Sequence, residues 1–432
     1  MASVGLGLKR LLRSPRLIVG EIGAIAAAGV LMTVVPQAAD RLAIRRFALE
    51  HPGWSPLVRA LSLDHVLESW WFVAVLVLAG ASLSIVLVEQ ARRVARQWRE
   101  PVGPASFRSA PYRLEFDRTP ADADGTARAT IRTTGRVGLL GSPLFHLGLM
   151  LVLVAGVARA LSYADAFAEV IEGEVLGSDA SAFRDERHGP FAHAFQLPER
   201  IRLLRVEPAR YASGALRAIR AQLAIGAEGR PAEIAVNAPL ELANRTLYIA
   251  SIHGPAALLE MEGALDVRAA LLLRDTTDTE YEARWAVPGG TKVLVRATVS
   301  QDAARPERLE VRVVRDDALL FVGSLAPGDA VPLASGERLI LHGIRGWALL
   351  HGSYDPSRWP MFAGVALASL GAALMFLVVK VDTAVVITPT GAQERVVVAL
   401  RSHRFAPLYQ DRFDRLVRAV RSDTTQPGRN RS

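Results

Sequence analysis

Trp70 to Val88 reads WWFVAVLVLAGASLSIVLV, with no charged residue, no strand-like alternation and no polar stripe of the kind a surface helix carries. At ~1.5 Å per residue such a run crosses the ~30 Å of hydrocarbon in a bilayer. Three other runs share its character: Leu17 to Val35 (LIVGEIGAIAAAGVLMTVV), Pro143 to Leu161 (PLFHLGLMLVLVAGVARAL) and Trp359 to Val379 (WPMFAGVALASLGAALMFLVV). Arg159 lies near the end of the third span, where a long cation can snorkel to the interface. Trp70, Trp71 and Trp359 stand where aromatic belts form. The 50% hydrophobic content of the 432 residues is therefore concentrated, and its distribution rather than its mean decides the class.

The first run follows Lys9, Arg10, Arg13 and Arg16 and precedes Ala38 and Ala39, as a secretory signal would. It is longer than the ~7–15 apolar residues of such a signal, and three more spans follow, so it reads as an uncleaved anchor. Basic residues beside spans face the cytoplasm. The amino-terminal tail carries the four cations just named, Arg92, Arg93, Arg96 and Arg99 follow span two, and Lys380, Arg395, Arg401, Arg404, Arg412, Arg415, Arg418 and Arg421 follow span four. The stretch from Asp40 to Ser69 mixes both signs. Both termini are thus expected in the cytoplasm. The resulting layout is a cytoplasmic tail (1–16), span one (17–35), an external loop (36–69), span two (70–88), a cytoplasmic loop (89–142), span three (143–161), an extracytoplasmic domain (162–358), span four (359–379) and a cytoplasmic tail (380–432).

The extracytoplasmic region alternates at the strand period in many short pieces, among them LRAIRAQLAI (Leu216 to Ile225), KVLVRATV (Lys292 to Val299) and RLEVRVVRD (Arg308 to Asp316). Turn signals such as Pro288-Gly289-Gly290 and Pro327-Gly328-Asp329 break them. The expected fold class is an integral membrane α-helical protein of four transmembrane helices with a large extracytoplasmic all-β domain, sandwich or barrel-like. In the cytoplasmic loop, YRLEF (Tyr112 to Phe116) and ARATIRTT (Ala127 to Thr134) also alternate and suggest one short hairpin.

The net charge of +8 comes largely from span-flanking arginines, which set topology and meet anionic lipid. No basic stripe with interleaved aromatics points to nucleic acid. The chain has no cysteine, which excludes disulfides, thiol chemistry by the chain itself and c-type haem attachment. It also lacks Gly-x-Ser-x-Gly, His-Glu-x-x-His and phosphate-loop motifs, so nothing supports a stand-alone enzyme.

His146 is the most informative residue. Gly141-Ser142-Pro143 reads as a helix start with Ser142 as N-cap, which places His146 in the first turn of span three. An ionisable group in a span is a functional candidate, and a neutral imidazole there can ligate a metal or haem iron. The alternative is an interfacial histidine hydrogen-bonded to a neighbouring helix or to water. Gly148 and Gly156 suit close helix packing or room for a flat macrocycle. Met150, on the face of His146, suits packing or an axial position. Glu21, inside span one, is expected to pair with an arginine or to snorkel. His188 and His193 have ligand-like spacing in a polar loop, and a solvated loop explains them as well.

Five strings in order carry a family likeness. They are SPRLIVGEIGAIAAAGVLMTVVPQ (Ser14 to Gln37), HVLESWWFVAVLVLAGASLSIVLVEQARR (His65 to Arg93), SPLFHLGLMLVLVAGV (Ser142 to Val157), NAPLELANRTLYIASIHGP (Asn237 to Pro255) and SYDPSRWPMFAGVALASLGAALMF (Ser353 to Phe376). Together they resemble the ResB (CcsB) family of cytochrome c biogenesis, although the absence of a cysteine after span two makes this a divergent example. The resemblance implies a multi-pass protein of the cytoplasmic (inner) membrane acting in System II cytochrome c maturation. It would work with a CcsA/ResC-type membrane partner to move haem outward for attachment to the thiols of apocytochrome c, which a separate thiol-reducing protein keeps reduced. In that setting the chain is not catalytic alone but part of a holocytochrome c synthase (haem lyase) complex. The third-span histidine of the family maps onto His146, a proposed axial haem ligand. The competing expectation is a membrane-anchored extracytoplasmic binding or assembly module that never binds haem.

Overall fold

The computed structural model describes Gly7 and residues 10–37, 41–119, 126–263, 266–300, 305–390 and 393–422. Lys9, Ala38, Ala39, Asp40 and the tail from residue 423 onward lie outside the described residues. The chain forms two compact units, Met1–Ala160 with Ser357–Ser432, and Leu161–Pro356.

In the first unit, four helices are long and apolar enough to cross a membrane. Span one is α1 (Pro15–Val34), opened by a proline whose missing N–H would have had no helical partner. The stretch after it, expected as a loop, folds into α2 (Arg41–Glu50), α3 (Ser55–Leu61) and a 3₁₀ turn, Leu63–Glu68. Gln37 fixes this stretch from the end of span one. Its amide donates to Val35 O at 2.8 Å and Leu63 O at 3.1 Å, and its Oε1 accepts from Val66 N at 3.4 Å. Trp71 Nε1 donates to Leu61 O at 2.8 Å from the other side.

Span two, α4 (Trp70–Arg99), continues past its apolar run because the arginines, glutamine and alanines that follow are good helix formers that need no hydrocarbon. Span three is α5 (Gly141–Ser162), and span four is α6 (Arg358–Leu377). Ala28 of α1, Val66, and Phe72 and Leu76 of α4 form a buried cluster against which Leu153 and Val157 of α5 pack.

The hairpin expected in the 89–142 loop does not exist. Strands β1 (Tyr112–Arg118) and β2 (Arg128–Thr134) are the two outer strands of an antiparallel sheet. Between them lie two strands that follow span four, β19 (Val381–Thr390) and β20 (Gln393–Ser402), in the order β1-β20-β19-β2. Alternation identifies a strand but not its partner, and here the partners come from the far end of the chain. One face of this sheet packs through Ala384 and Ala399 on Phe107. The other packs through Val396 and Val398 on the amphipathic α7 (Gln410–Ser422), which supplies Phe413, Leu416, Val417 and Val420.

The second unit is antiparallel β structure, β3 to β18. Two long strands, β10 (Arg245–Glu262) and β18 (Arg338–Tyr354), pair along most of their length and serve two hydrophobic cores. Leu247, Ile249, Ala348 and Leu350 enter the first core with β6 (Ile201–Arg210), β7 (Leu216–Ile225) and β8 (Arg230–Ala235). Ala257, Leu259, Met261, Leu339 and Leu341 enter the second with the middle strands of a five-stranded sheet. The β10–β18 register shifts between Ile249 and His253, between the two cores. An interrupted register lets one long strand pair re-aim its side chains from one core to the next.

Candidate functional site

Span three is built with two unlike faces. Along one, Gly148 meets span four so closely that a Cβ there would lie 2.3 Å from Ala368 N and 2.6 Å from Gly364 O. At Gly371, on span four, a Cβ would lie 2.2 Å from Phe145 N and 2.8 Å from Gly141 O. Such approach is open only to glycine, and it is how helices gain packing where lipid is as apolar as leucine. Of the two readings of Gly148, helix packing is the one the geometry displays.

The other face turns toward spans one and two. Ser142, expected as an N-cap, lies inside the helix, because a 3₁₀ turn (Arg136–Leu140) leads into Gly141 and starts the helix earlier. Its hydroxyl donates instead to Gln90 Oε1 of α4 at 2.9 Å. His146 follows one turn later, and Leu153 and Val157 continue the stripe into the cluster shared with α1 and α4. Gly156 also points this way, since a Cβ added there would meet Leu76 Cδ1 at 3.0 Å.

His146 is half-buried, edge-on to Phe145, with Nδ1 2.8 Å from Ser142 O. A carbonyl oxygen only accepts, so Nδ1 donates the hydrogen bond, and in the neutral form of the ring the lone pair stands on Nε2. That is the tautomer a metal-ligating histidine needs, with the backbone carbonyl fixing the ring from behind. His146 is the one histidine of nine that falls in a span.

Glu21 neither snorkels nor meets an arginine among the described residues. It is 6% exposed and accepts from Ser82 Oγ of α4 at 2.8 Å, a polar tie between spans one and two. Arg13 and Glu89 close the same pair of helices nearer its arginine-rich end, at 3.1 Å. Sequence reading missed Ser82 and Gln90, since a serine or glutamine in or beside an apolar run does not disclose which helix it faces.

In the strand domain, His188 and His193 are exposed. Among the described residues no group of three or more histidines and carboxylates is arranged to hold a metal ion. Two buried polar centres stand out there. Asp165, 1% exposed, lies 2.8 Å from Arg187 and 3.4 Å from His351, whose ring stacks on Phe167. Burial pushes the Asp165 carboxyl up, but the His351 contact and the Arg187 charge outweigh it and hold it below the usual range. His253, 8% exposed at the register shift, donates Nδ1–H to Ser251 O, and burial together with Arg210 lowers its affinity for a second proton.

The family model described as the ResB-like family matches residues 16–302. The chain belongs to the ResB-like family. Among relatives, a cytochrome c biogenesis protein CcsB of Synechococcus sp. (strain JA-3-3Ab) is 25% identical over 403 residues, 85% of this chain and 81% of the relative. A protein of the same name from Synechococcus sp. (strain JA-2-3B'a(2-13)) is 27% identical over 264 residues, 55% of each chain. Another, from Gloeobacter violaceus, is 26% identical over 174 residues, 34% of this chain and 36% of the relative. The stretch matched to the ResB-like family contains Glu21, Ser82, Gln90, His146 and Gly148, so it covers spans one to three and the larger part of the strand domain.

Proposed function

We propose that this protein serves cytochrome c biogenesis as the haem-handling membrane subunit of a System II synthase complex. In this reading His146 ligates haem iron through Nε2 near the cytoplasmic end of span three, and a CcsA/ResC-type partner supplies the opposite axial position. The strand domain lies outside the cytoplasmic membrane, where it guides haem or apocytochrome c toward thioether formation. The observation that carries the proposal is the fixed tautomer of His146 in a chain of the ResB-like family. The names of the relatives and the arginines flanking three of the loop ends support the role and the orientation.

Haem, the cargo, supplies the iron and the vinyl groups. The chain supplies an oriented imidazole, a lipid-facing helix pair locked by glycine, and polar ties that keep spans one and two beside the histidine. The test is co-purification of the protein with its partner from haem-replete cells, wild type against His146→Ala. Loss of the low-spin haem absorbance in the variant, with recovery on added imidazole, is the expected result. A complex whose haem spectrum is indifferent to His146→Ala removes the ligand assignment.

A further inference from the structure

Span four ends at Leu377, but the exposed apolar surface continues beyond it. Phe376 and Leu377 are exposed on its last turn, and Phe405, from the segment between β20 and α7, stacks on Phe376 with ring centroids 6.2 Å apart. A 3₁₀ turn follows, Ala406–Tyr409, in which Leu408 is 79% exposed. A single exposed leucine needs no explanation. Here, however, the backbone is bent to present the pair. Phe405 takes φ 53° and ψ 44°, a left-handed conformation that a bulky residue adopts only when its surroundings impose it.

The surroundings that impose it can be named. His403 N donates to Lys380 O at 2.9 Å, Arg404 Nη1 donates to Met375 O at 3.4 Å, and Tyr112 Oη donates to Ala406 O at 3.1 Å. The first two bonds tie the segment to the end of span four, and the third ties it to β1. Phe405 lies between them.

The same rim carries cations that no carboxylate neutralises. Asp382, buried near the start of β19, is shared by Lys380 Nζ at 3.4 Å, Arg401 Nη2 at 3.9 Å and Thr133 Oγ1 at 2.8 Å. Arg404 makes only its carbonyl contact. Arg412 of α7 donates to Thr134 Oγ1 at 3.2 Å, and Thr134 stands opposite Val381, the first strand residue after span four. Among the described residues neither guanidinium is ion-paired. Arginine presents a fork of donors that matches a phosphate. Apolar side chains continuous with the lipid-facing end of a span, beside two uncompensated arginines, match the acyl chain and phosphate of one molecule. A zwitterionic lipid would bring a phosphate already balanced by its own choline.

We propose that the segment 403–409 is a lipid-binding site, with Phe405 and Leu408 among the acyl chains of the leaflet where span four ends and Arg404 and Arg412 on the phosphate of an anionic phospholipid such as phosphatidylglycerol. The inference rests on the four spans and is independent of haem handling. The site gives the sheet β1-β20-β19-β2 a second attachment to the bilayer besides span four itself.

The test uses the full-length protein, whose lack of cysteine makes any introduced one unique. Leu408→Cys carrying a nitroxide label, in nanodiscs of phosphatidylcholine and phosphatidylglycerol, should collide often with oxygen and rarely with a water-soluble nickel chelate. Gln393→Cys, at the far end of the β19–β20 hairpin, should show the reverse. In native mass spectrometry the wild type should retain phosphatidylglycerol in preference to phosphatidylcholine. Arg412→Gln, which leaves the Arg404 bond to span four intact, should weaken that retention about fivefold, the contribution of one cation at an anionic surface. Arg412→Lys should keep most of it. A Leu408 label open to the nickel chelate places the segment in water and overturns the proposal. A label shielded from both reagents shows a protein face covering the segment, and overturns it as well. No preference for phosphatidylglycerol, or retention unchanged by Arg412→Gln, overturns the phosphate assignment.

Discussion

At Gly148 and Gly371 a single added carbon would sit 2.3 Å and 2.2 Å from backbone nitrogens of the facing helix. At Leu203, Ile219 and Leu223, in the strand domain, complete side chains are wholly enclosed. Spans three and four are specified by atoms that are absent, the strand domain by atoms that fill space. The difference follows from the solvent. In water, burying apolar surface at ~25 cal/mol per Å² holds β-sheets together. In lipid that gain vanishes between helices, leaving close backbone approach and a few polar ties such as Glu21–Ser82.

The contrast breaks most visibly at the seam. Gly148→Val, or Gly371→Leu, should abolish recovery of a monodisperse full-length protein in size-exclusion chromatography, because the clash is with backbone that cannot rotate away. Gly156→Ala should be recovered normally, since its obstacle is the end of the Leu76 side chain. In the strand domain the corresponding damage is graded. Leu223→Ala should cost about 2–5 kcal/mol by loss of buried volume, read as a lowered denaturation midpoint of the full chain without loss of the fold.

A smaller effect separates two ways of breaking the polar tie in the first unit. Ser82→Ala leaves the buried Glu21 carboxyl without its donor and should destabilise by about 1–3 kcal/mol. Glu21→Gln keeps an acceptor for the Ser82 hydroxyl and should lower the thermal midpoint less than Ser82→Ala does. A Ser82→Ala midpoint equal to that of the wild type would show that the tie contributes nothing.

The smallest effect is titration of the strand domain. His253 binds its second proton less readily when folded than the ~6.5 of an unfolded histidine. Above that value neither form is charged and the residue is neutral to stability. As pH falls below it the unfolded chain takes up a proton that the folded chain refuses, so stability declines until the lowered folded value is reached. His253→Gln should flatten this part of the midpoint-versus-pH curve. Asp165 acts in a separate, more acidic window. Its contribution is present above the ordinary carboxylate value of ~3.9 and is lost as pH falls through its lower folded value.

Legibility from sequence tracked how local the signal was. The spans could be read because hydrocarbon thickness imposes a length, and the strands could be read because alternation has a period of two. The hairpin expected from YRLEF and ARATIRTT failed because strand pairing is not local: Tyr112 lies opposite Leu400 and Thr134 opposite Val381. Ser142 misled for a similar reason, since its hydroxyl goes to Gln90 on another helix rather than to its own backbone. His146 could be singled out by type and depth. Its tautomer could not, because that depends on an oxygen 2.8 Å away.

The sequence by itself determined four apolar crossings, the basic character of their flanks, a strand-rich insertion before the fourth, and the single histidine within a span. Those properties follow from composition over short windows, where transfer free energy and backbone periodicity act residue by residue. Tertiary structure decided that Gly148 is a contact surface, that Glu21 is tied to Ser82, and that strands following span four complete a sheet begun before span three. Each of these depends on which distant groups meet, and burial assigns a cost to an unmatched group only after the chain has brought its neighbours together.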